Sequence, residues 1–224
     1  MFSIIIPVLN EAEEIESRLE SIQFFRKNGH EIILADGGST DGTINLAKPY
    51  VDSIVSSQVG RAAQMNAGAL NANGNNLFFL HIDSILPEEI CDELSLFDSQ
   101  NIWGFCRIRL SGKHCLFRLI ETMMNLRSRI TFIATGDQGL IISKVLFEKI
   151  GGYPSIDLME DVEICKCLKR LSNPVVINSE IETSSRRWEE RGIIKTIILM
   201  WYLRLLYFFG VSPKRLVKIY YSRG

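Results

Sequence analysis

The chain has 224 residues, with 25 Lys+Arg against 26 Asp+Glu and a formal net charge of −1. Hydrophobic residues make up 46% and charged residues 23%, which excludes a disordered polymer and fits one compact domain that buries roughly 70% of its unfolded surface. A balanced charge gives no long-range attraction to nucleic acid, so no such partner is expected.

In chain order, residues 2–8 (Phe-Ser-Ile-Ile-Ile-Pro-Val) predict a buried strand with Pro7 at its exit, where a ladder donor is dispensable. Residues 11–26 predict a helix with Ile15, Leu19 and Ile22 on one face. A second strand, 31–35, closes on the turn-rich run Asp36-Gly37-Gly38-Ser39-Thr40-Asp41-Gly42. A helix over 43–48, a strand over 51–56, an Ala-rich helix over 60–73 and a strand over 76–82 follow. These β-α repeats with short connections predict an α/β fold with a mostly parallel, right-handed, doubly wound sheet flanked by helices.

Beyond Asp83 the alternation weakens: helices over 87–97, 116–130 and 160–171, and strands over 102–110, 139–143 and 174–177. No Pro/Gly/Ser-rich linker intervenes, so the second half completes the same domain. The division expected is a nucleotide-sugar half (1–84), an acceptor and catalytic half (85–188) and an amphipathic helical tail (189–224).

Five cysteines, an odd number without a CxxC pair, fit reduced thiols in a cytoplasm. Residues 1–14 lack a basic leader and a cleavage site. The apolar run 193–211 is interrupted by Lys195 and Arg204, so a membrane-spanning helix is not expected. Basic residues interleaved with Trp201, Tyr202, Tyr207, Phe208 and Phe209 leave three readings of the tail: packing on the sheet, peripheral contact with the inner face of an anionic membrane, or a homodimer contact.

Ligands of open parallel sheets bind beyond the carboxyl ends of the strands. The exits here carry Pro7 to Glu11, Asp36 to Ser39, Ser57 to Arg61 and His81 to Ser84. Acids, amides and an arginine at one edge suit a nucleotide and its counter-ion. The structural alternative is that Asp36 and Asp83 cap turns.

Ser3-Ile-Ile-Ile-Pro-Val-Leu-Asn-Glu11, Asp36-Gly-Gly-Ser-Thr-Asp-Gly-Thr43, Gly60-Arg-Ala-Ala-Gln-Met-Asn-Ala-Gly68 and Leu80-His-Ile-Asp-Ser84 resemble family-two glycosyltransferases of the GT-A fold. Gly136-Asp-Gln-Gly139, Met159-Glu-Asp161 and Ser184-Ser-Arg-Arg-Trp188 continue the likeness in order, and the pattern is similar to the compact radical-SAM/selenodomain-associated subgroup. The resemblance implies a nucleotide-diphosphate sugar donor, usually UDP-linked, and Mn²⁺ or Mg²⁺. It implies Pro7 and Glu11 in the nucleoside pocket, Asp36 accepting from the base, and Arg61 near the nucleotide. It also implies Asp83 as the metal-ligating carboxylate. His81 departs from the pattern, which has an acid there.

By the same resemblance Asp161 is the general base toward an acceptor hydroxyl, which with direct displacement implies inversion. Glu160 orients Asp161 or touches the acceptor. Gln138 binds acceptor or sugar, Arg187 pairs with the diphosphate and Trp188 stacks near the acceptor. Ser184 stands where the family has Gln, which argues against processive polymer synthesis. The expected acceptor is a small molecule or a lipid-linked one. A non-catalytic nucleotide-sugar-binding protein with a degenerate site is the alternative, motivated by His81 and Ser184. A dinucleotide oxidoreductase is disfavoured, since the first strand lacks the Gly-x-Gly-x-x-Gly exit.

Overall fold

The computed structural model describes residues 1–95, 97 and 102–222, the side chains of Arg187, Tyr221 and Ser222 excepted. Its elements in chain order are β1 (Phe2–Val8), α1 (Ile15–Ser21), α2 (Phe24–Lys27), β2 (Glu31–Asp36), α3 (Thr43–Ala47), β3 (Ser53–Ser56), α4 (Arg61–Leu70) and β4 (Asn76–Phe79). Then come α5 (Ile90–Leu94), β5 (Trp103–Leu110), α6 (Cys115–Thr131), β6 (Leu140–Ser143), α7 (Lys144–Lys149), α8 (Glu160–Leu168), β7 (Val175–Thr183), α9 (Arg186–Arg191), α10 (Ile193–Phe208) and α11 (Pro213–Ser222).

One seven-stranded sheet has the order β3-β2-β1-β4-β6-β5-β7. β3, β2, β1 and β4 are parallel; β6 is antiparallel to both β4 and β5, and β7 is parallel to β5. The expected α/β architecture is therefore present, with β6 as the reversed strand. Side chains alternate across the sheet. Ile4, Ile6 and Val8 join Ile15, Leu19 and Phe25 on one face. Ile5, Leu77 and Phe79 join Met65, Phe147 and Ile164 on the other. Apolar side chains on both faces are what the continuous Ile-Ile-Ile run of β1 requires. Gly68 lets α4 lie directly on β1, since a Cβ there would stand 2.4 Å from Ile5 Cγ2.

The predicted helix over 11–26 is shorter and broken. Asn10 is left-handed (φ 56°), and the Glu11 and Ala12 amides donate to Thr43 Oγ1 (2.8 Å) and Asp41 Oδ2 (3.0 Å). Those bonds tie the chain to the loop after β2, so helix begins only at Ile15. The last strand is longer than predicted. Asn178 and Ser179 resemble strand terminators, yet they form a bulge opposite Cys106 and Arg107 whose amides donate to the Glu93 carboxylate at 2.8 Å each. The tail packs at two places: Ile193 and Ile197 at the start of α10 join Leu110 of β5 and Phe117 and Ile120 of α6, and α10 and α11 pack on α8 through Leu203 and Leu216 against Met159 and Val162. No helix among the described residues is long and apolar enough to cross a membrane.

The chain turns from β1 to β2 on one side of the sheet and to β4 on the other, so the switch point lies at the exits of β1 and β4. Asn10, Glu11, His81 and Asp83 stand there.

Candidate active site at the strand exits

Asp36 ends β2 buried, and its carboxylate accepts from the Gly38 amide (3.1 Å) and from the Ser39 amide and hydroxyl (3.0 and 2.6 Å). It shapes the glycine turn, as the structural alternative holds, and a carboxylate has lone pairs left for one more donor. Asn10 joins this loop to β1, donating its amide to Ser39 Oγ (2.9 Å) and accepting from the Thr40 amide (2.9 Å).

Glu11 is half-buried beside Asp83. Burial first, then the charges of Asp83 and Glu14, push its carboxyl above the usual range, against the pull of Arg186. Arg186 also pairs with Glu14 at 3.4 Å. The motif at 184–188 is thereby brought to the β1 exit, although 172 residues separate its arginine from Glu14. Pro7 is half-buried at the end of β1. Arg187 lies on α9, and its side chain is outside the described residues.

β4 stops at Phe79, so His81 to Asp83 form a turn closed by the Ser84 amide on the His81 carbonyl (3.1 Å). Asp83 is partly exposed there. Among the described residues no three His, Cys, Asp or Glu side chains converge as a self-sufficient metal site. A hard divalent cation fits Asp83 only when diphosphate oxygens and water complete its shell, which is how Mg²⁺ is commonly held with phosphates. The like-charged neighbour Glu11 makes a cation at that spot favourable.

His81, Gly136, Glu160 and Asp161 line one cleft together with Met65, Phe79, Leu140 and Tyr153. It holds about 10 Å³, room for roughly one water and not for a sugar ring. His81 Nδ1 lies 3.3 Å from Asp137 Oδ1. Gly136 is required by close approach, since a Cβ there would stand 2.6 Å from the His81 ring. Its amide donates to Asp161 Oδ2 (3.2 Å), while Oδ1 accepts from the Val162 amide (2.8 Å). α8 starts from a left-handed Met159 (φ 70°), an uncommon conformation for a non-glycine residue that swings Glu160 and Asp161 toward the strand exits.

Burial, with the charge of Glu160 adding to it, pushes the Asp161 carboxyl up to about 6; the two amide hydrogen bonds and Arg61 oppose the rise. Arg61, first residue of α4, faces Glu160, Asp137 and Asp161; desolvation would lower its pKa, and these carboxylates outweigh it and raise it. The charge of a first-half residue thus acts on the acids of the second half. Asp161 is poised to take a proton near neutral pH.

Two residues take other roles than the sequence suggests. Gln138 is wholly buried and does not line the cleft. Its amide braces the turn, accepting from Ser128 Oγ (2.7 Å) and the Thr135 amide (3.2 Å) and donating to the Cys106 carbonyl (3.2 Å). Trp188 packs with Leu110, Phe117 and Ile120, between which and Ile193 and Ile197 it is half-buried, rather than standing open to an acceptor. Sequence reasoning missed Arg127, on α6. Desolvation lowers its pKa and the charge of Asp161 raises it, and its Nε is buried without a hydrogen-bond partner. No motif marks it; only the fold brings α6 to α8. The larger cavity, an open groove of about 770 Å³ between the start of α6 and residues 189–195, shares no lining residue with the cleft.

Residues 3–108 match the family described as Glycosyl transferase family 2. A PGL/p-HBAD biosynthesis glycosyltransferase of Mycobacterium bovis is 37% identical over 95 residues, covering 39% of this chain and 37% of that protein. Glycosyltransferase AglE of Haloferax volcanii is 36% identical over 90 residues, covering 36% and 30%. The alignment thus spans about a third of the curated relatives. Among solved structures, the mannosyltransferase PcManGT of Pyrobaculum calidifontis, in complex with GDP-Man and Mn²⁺, superposes with a TM-score of 0.66 at 17% identity, covering 97% of this chain and 68% of that one. S. aureus TarS 1-349 in complex with UDP-GlcNAc gives 0.61 at 19%, covering 82% and 58%. The fold is the GT-A fold of these glycosyltransferases.

Proposed function

We propose that this chain, a member of glycosyl transferase family 2 over residues 3–108, is an inverting glycosyltransferase that moves a sugar from a nucleotide-diphosphate donor, UDP-linked, to an acceptor hydroxyl with the help of Mn²⁺ or Mg²⁺. The observation that carries the reading is Asp161. Its carboxyl is raised to about 6 and fixed by two backbone amides, in a cleft lined by His81 at the β4 exit.

In this reading Pro7, Glu11 and Asp36 line the nucleoside pocket, and Arg61 and Arg187 attend the diphosphate and sugar. Asp161 accepts the acceptor's hydroxyl proton as that oxygen bonds to the anomeric carbon; the carbon–oxygen bond to phosphate breaks, and its electron pair leaves with the nucleoside diphosphate. A single displacement inverts the centre. Asp83 would hold the divalent cation, which would neutralise the leaving group's charge when bound. Glu160 keeps Asp161 basic through like-charge proximity. Residues 1–84 serve the donor, residues 85–188 supply acceptor contacts and the base, and the tail (189–224) meets a membrane or a second copy. The acceptor is a small or lipid-linked alcohol.

The test is a thermal-shift and calorimetric screen of UDP-, GDP- and dTDP-sugars with and without Mn²⁺, followed by transfer assays of Asp161→Asn. Metal-enhanced UDP-sugar binding, with transfer lost and donor affinity kept in the variant, is expected. Nucleotide binding without turnover in the native chain supports the binding-protein alternative, and absence of nucleotide binding refutes both.

A further inference from the structure

α6 and α10 are neighbours: Ile193 and Ile197 of α10 pack with Phe117, Ile120 and Met124 of α6. Each helix also carries an apolar stripe turned to solvent. On α6 it is Leu119, Met123, Leu126 and Ile130, and on α10 it is Ile194, Ile198, Trp201 and Leu205, continued by Phe208. Both stripes repeat at i, i+4, i+7, i+11, so each forms a single line on its helix, opposite the residues that face the body of the protein. Exposure runs from 48% at Met123 to 82% at Phe208. Core packing does not account for two such lines, and exposed apolar area on this scale marks a contact surface.

We propose that this two-helix surface docks on an anionic lipid bilayer. Charge selects the occupant. α10 and α11 contain no Asp or Glu, while Lys195, Lys214, Arg215 and Lys218 are exposed. On α6 Arg129 is exposed, and the single acid, Glu121, is buried, bonded to the Leu110 amide and to Arg118. Glu189 and Glu190 precede Gly192, at the far end of α10 from Phe208. A second copy of the chain would bring these cations face to face, whereas anionic headgroups complement them. Trp201 at the middle of the stripe suits a headgroup boundary. α10 has 16 residues, about 24 Å of helix, shorter than the roughly 30 Å hydrocarbon layer, so it lies along the surface.

The docked face is tied to the site. The inner side of α10 and α11 packs on Met159 and Val162, which flank Glu160 and Asp161, and Tyr207 donates to Glu163 at 2.6 Å. Docking would place α10 and α11 between the bilayer and α8. Membrane docking stands apart from the proposed transfer chemistry, and its test needs no turnover.

Co-sedimentation of the native chain with phosphatidylcholine vesicles, with and without 30 mol% phosphatidylglycerol, measures it. Binding to the anionic vesicles at 50 mM NaCl, weakened at 500 mM, is expected. The triple change Ile198→Ser, Trp201→Ser, Leu205→Ser and, separately, the double change Met123→Ser, Leu126→Ser should each reduce binding tenfold or more without lowering the melting temperature, because these side chains are exposed. Lys214→Glu with Lys218→Glu should reduce it as well. Absence of binding by the native chain at low salt overturns the proposal, as does binding that both stripe variants retain. So does a dimer in light scattering that the stripe variants dissolve, which would assign the surface to a second copy.

Discussion

Replacing Asp161 with asparagine is expected to stop transfer and to make the protein more stable at neutral pH. Burial and the neighbouring Glu160 charge lift the Asp161 carboxyl from 3.8 to about 6. The folded chain therefore keeps a proton that the unfolded chain has already released between those values. Stability falls as pH rises through that window, and the whole cost is present above it. At about 1.4 kcal/mol per pH unit the cost is about 3 kcal/mol. This net figure already includes the opposing help from Arg61 and the Gly136 and Val162 amides. Asparagine carries no charge and escapes the cost, but its NH2 cannot accept, so one of the bonds from the Gly136 and Val162 amides is lost and the gain stays below about 3 kcal/mol, or below roughly 6–12 °C in Tm for a chain of this size. Scanning calorimetry of both proteins from pH 4 to pH 8 measures it. The difference should be near zero at pH 4 and reach its plateau by pH 7, while transfer falls by about 10²–10⁴-fold. A variant that melts at or below the native protein at pH 7.5, or a difference that ignores pH, would refute the reasoning.

Asp83→Asn should abolish the gain in UDP affinity that Mn²⁺ confers, a loss of at least about tenfold in calorimetry with metal and little without it. Gln138→Ala removes the partner of the Thr135 amide and the side-chain donor to the Cys106 carbonyl, while the Ser128 hydroxyl keeps its bond to the Met124 carbonyl. It should cost about 2–4 kcal/mol in urea unfolding with nucleotide Kd unchanged. Gly136→Ala places a Cβ 2.6 Å from the His81 ring. The resulting displacement disturbs the amide that holds Asp161, so kcat should fall by roughly 10²-fold in steady-state assays while UDP binding persists.

The first half of the chain was legible because its signals are local. The Ile-Ile-Ile run, the Asp-Gly-Gly-Ser turn and the Ala-rich helix each declare their own structure, and the switch point follows from strand order. The second half depends on long-range contacts. The Asn178-Ser179 bulge exists because Glu93, on another element, satisfies its amides. The break before Ile15 exists because Thr43 and Asp41 hold the preceding backbone. At the site, the acid pair at 160–161 could be read from its motif. The roles of Arg61 as its counter-charge, of Gln138 as a brace and of Arg127 as a buried neighbour could not, since each is set by which helix the fold brings alongside. The α6 stripe carried no motif either: it has the same spacing as a core-facing stripe, and only the packed structure reveals that it faces outward.

The most direct measurement of the account is proton NMR of a UDP-α-sugar incubated with the protein and Mn²⁺, water or a simple alcohol serving as acceptor. Consumption of the donor with first-formed product in the β configuration, absent with Asp161→Asn, is the predicted result. An α product formed first, or a donor consumed as fast by the variant, would contradict it.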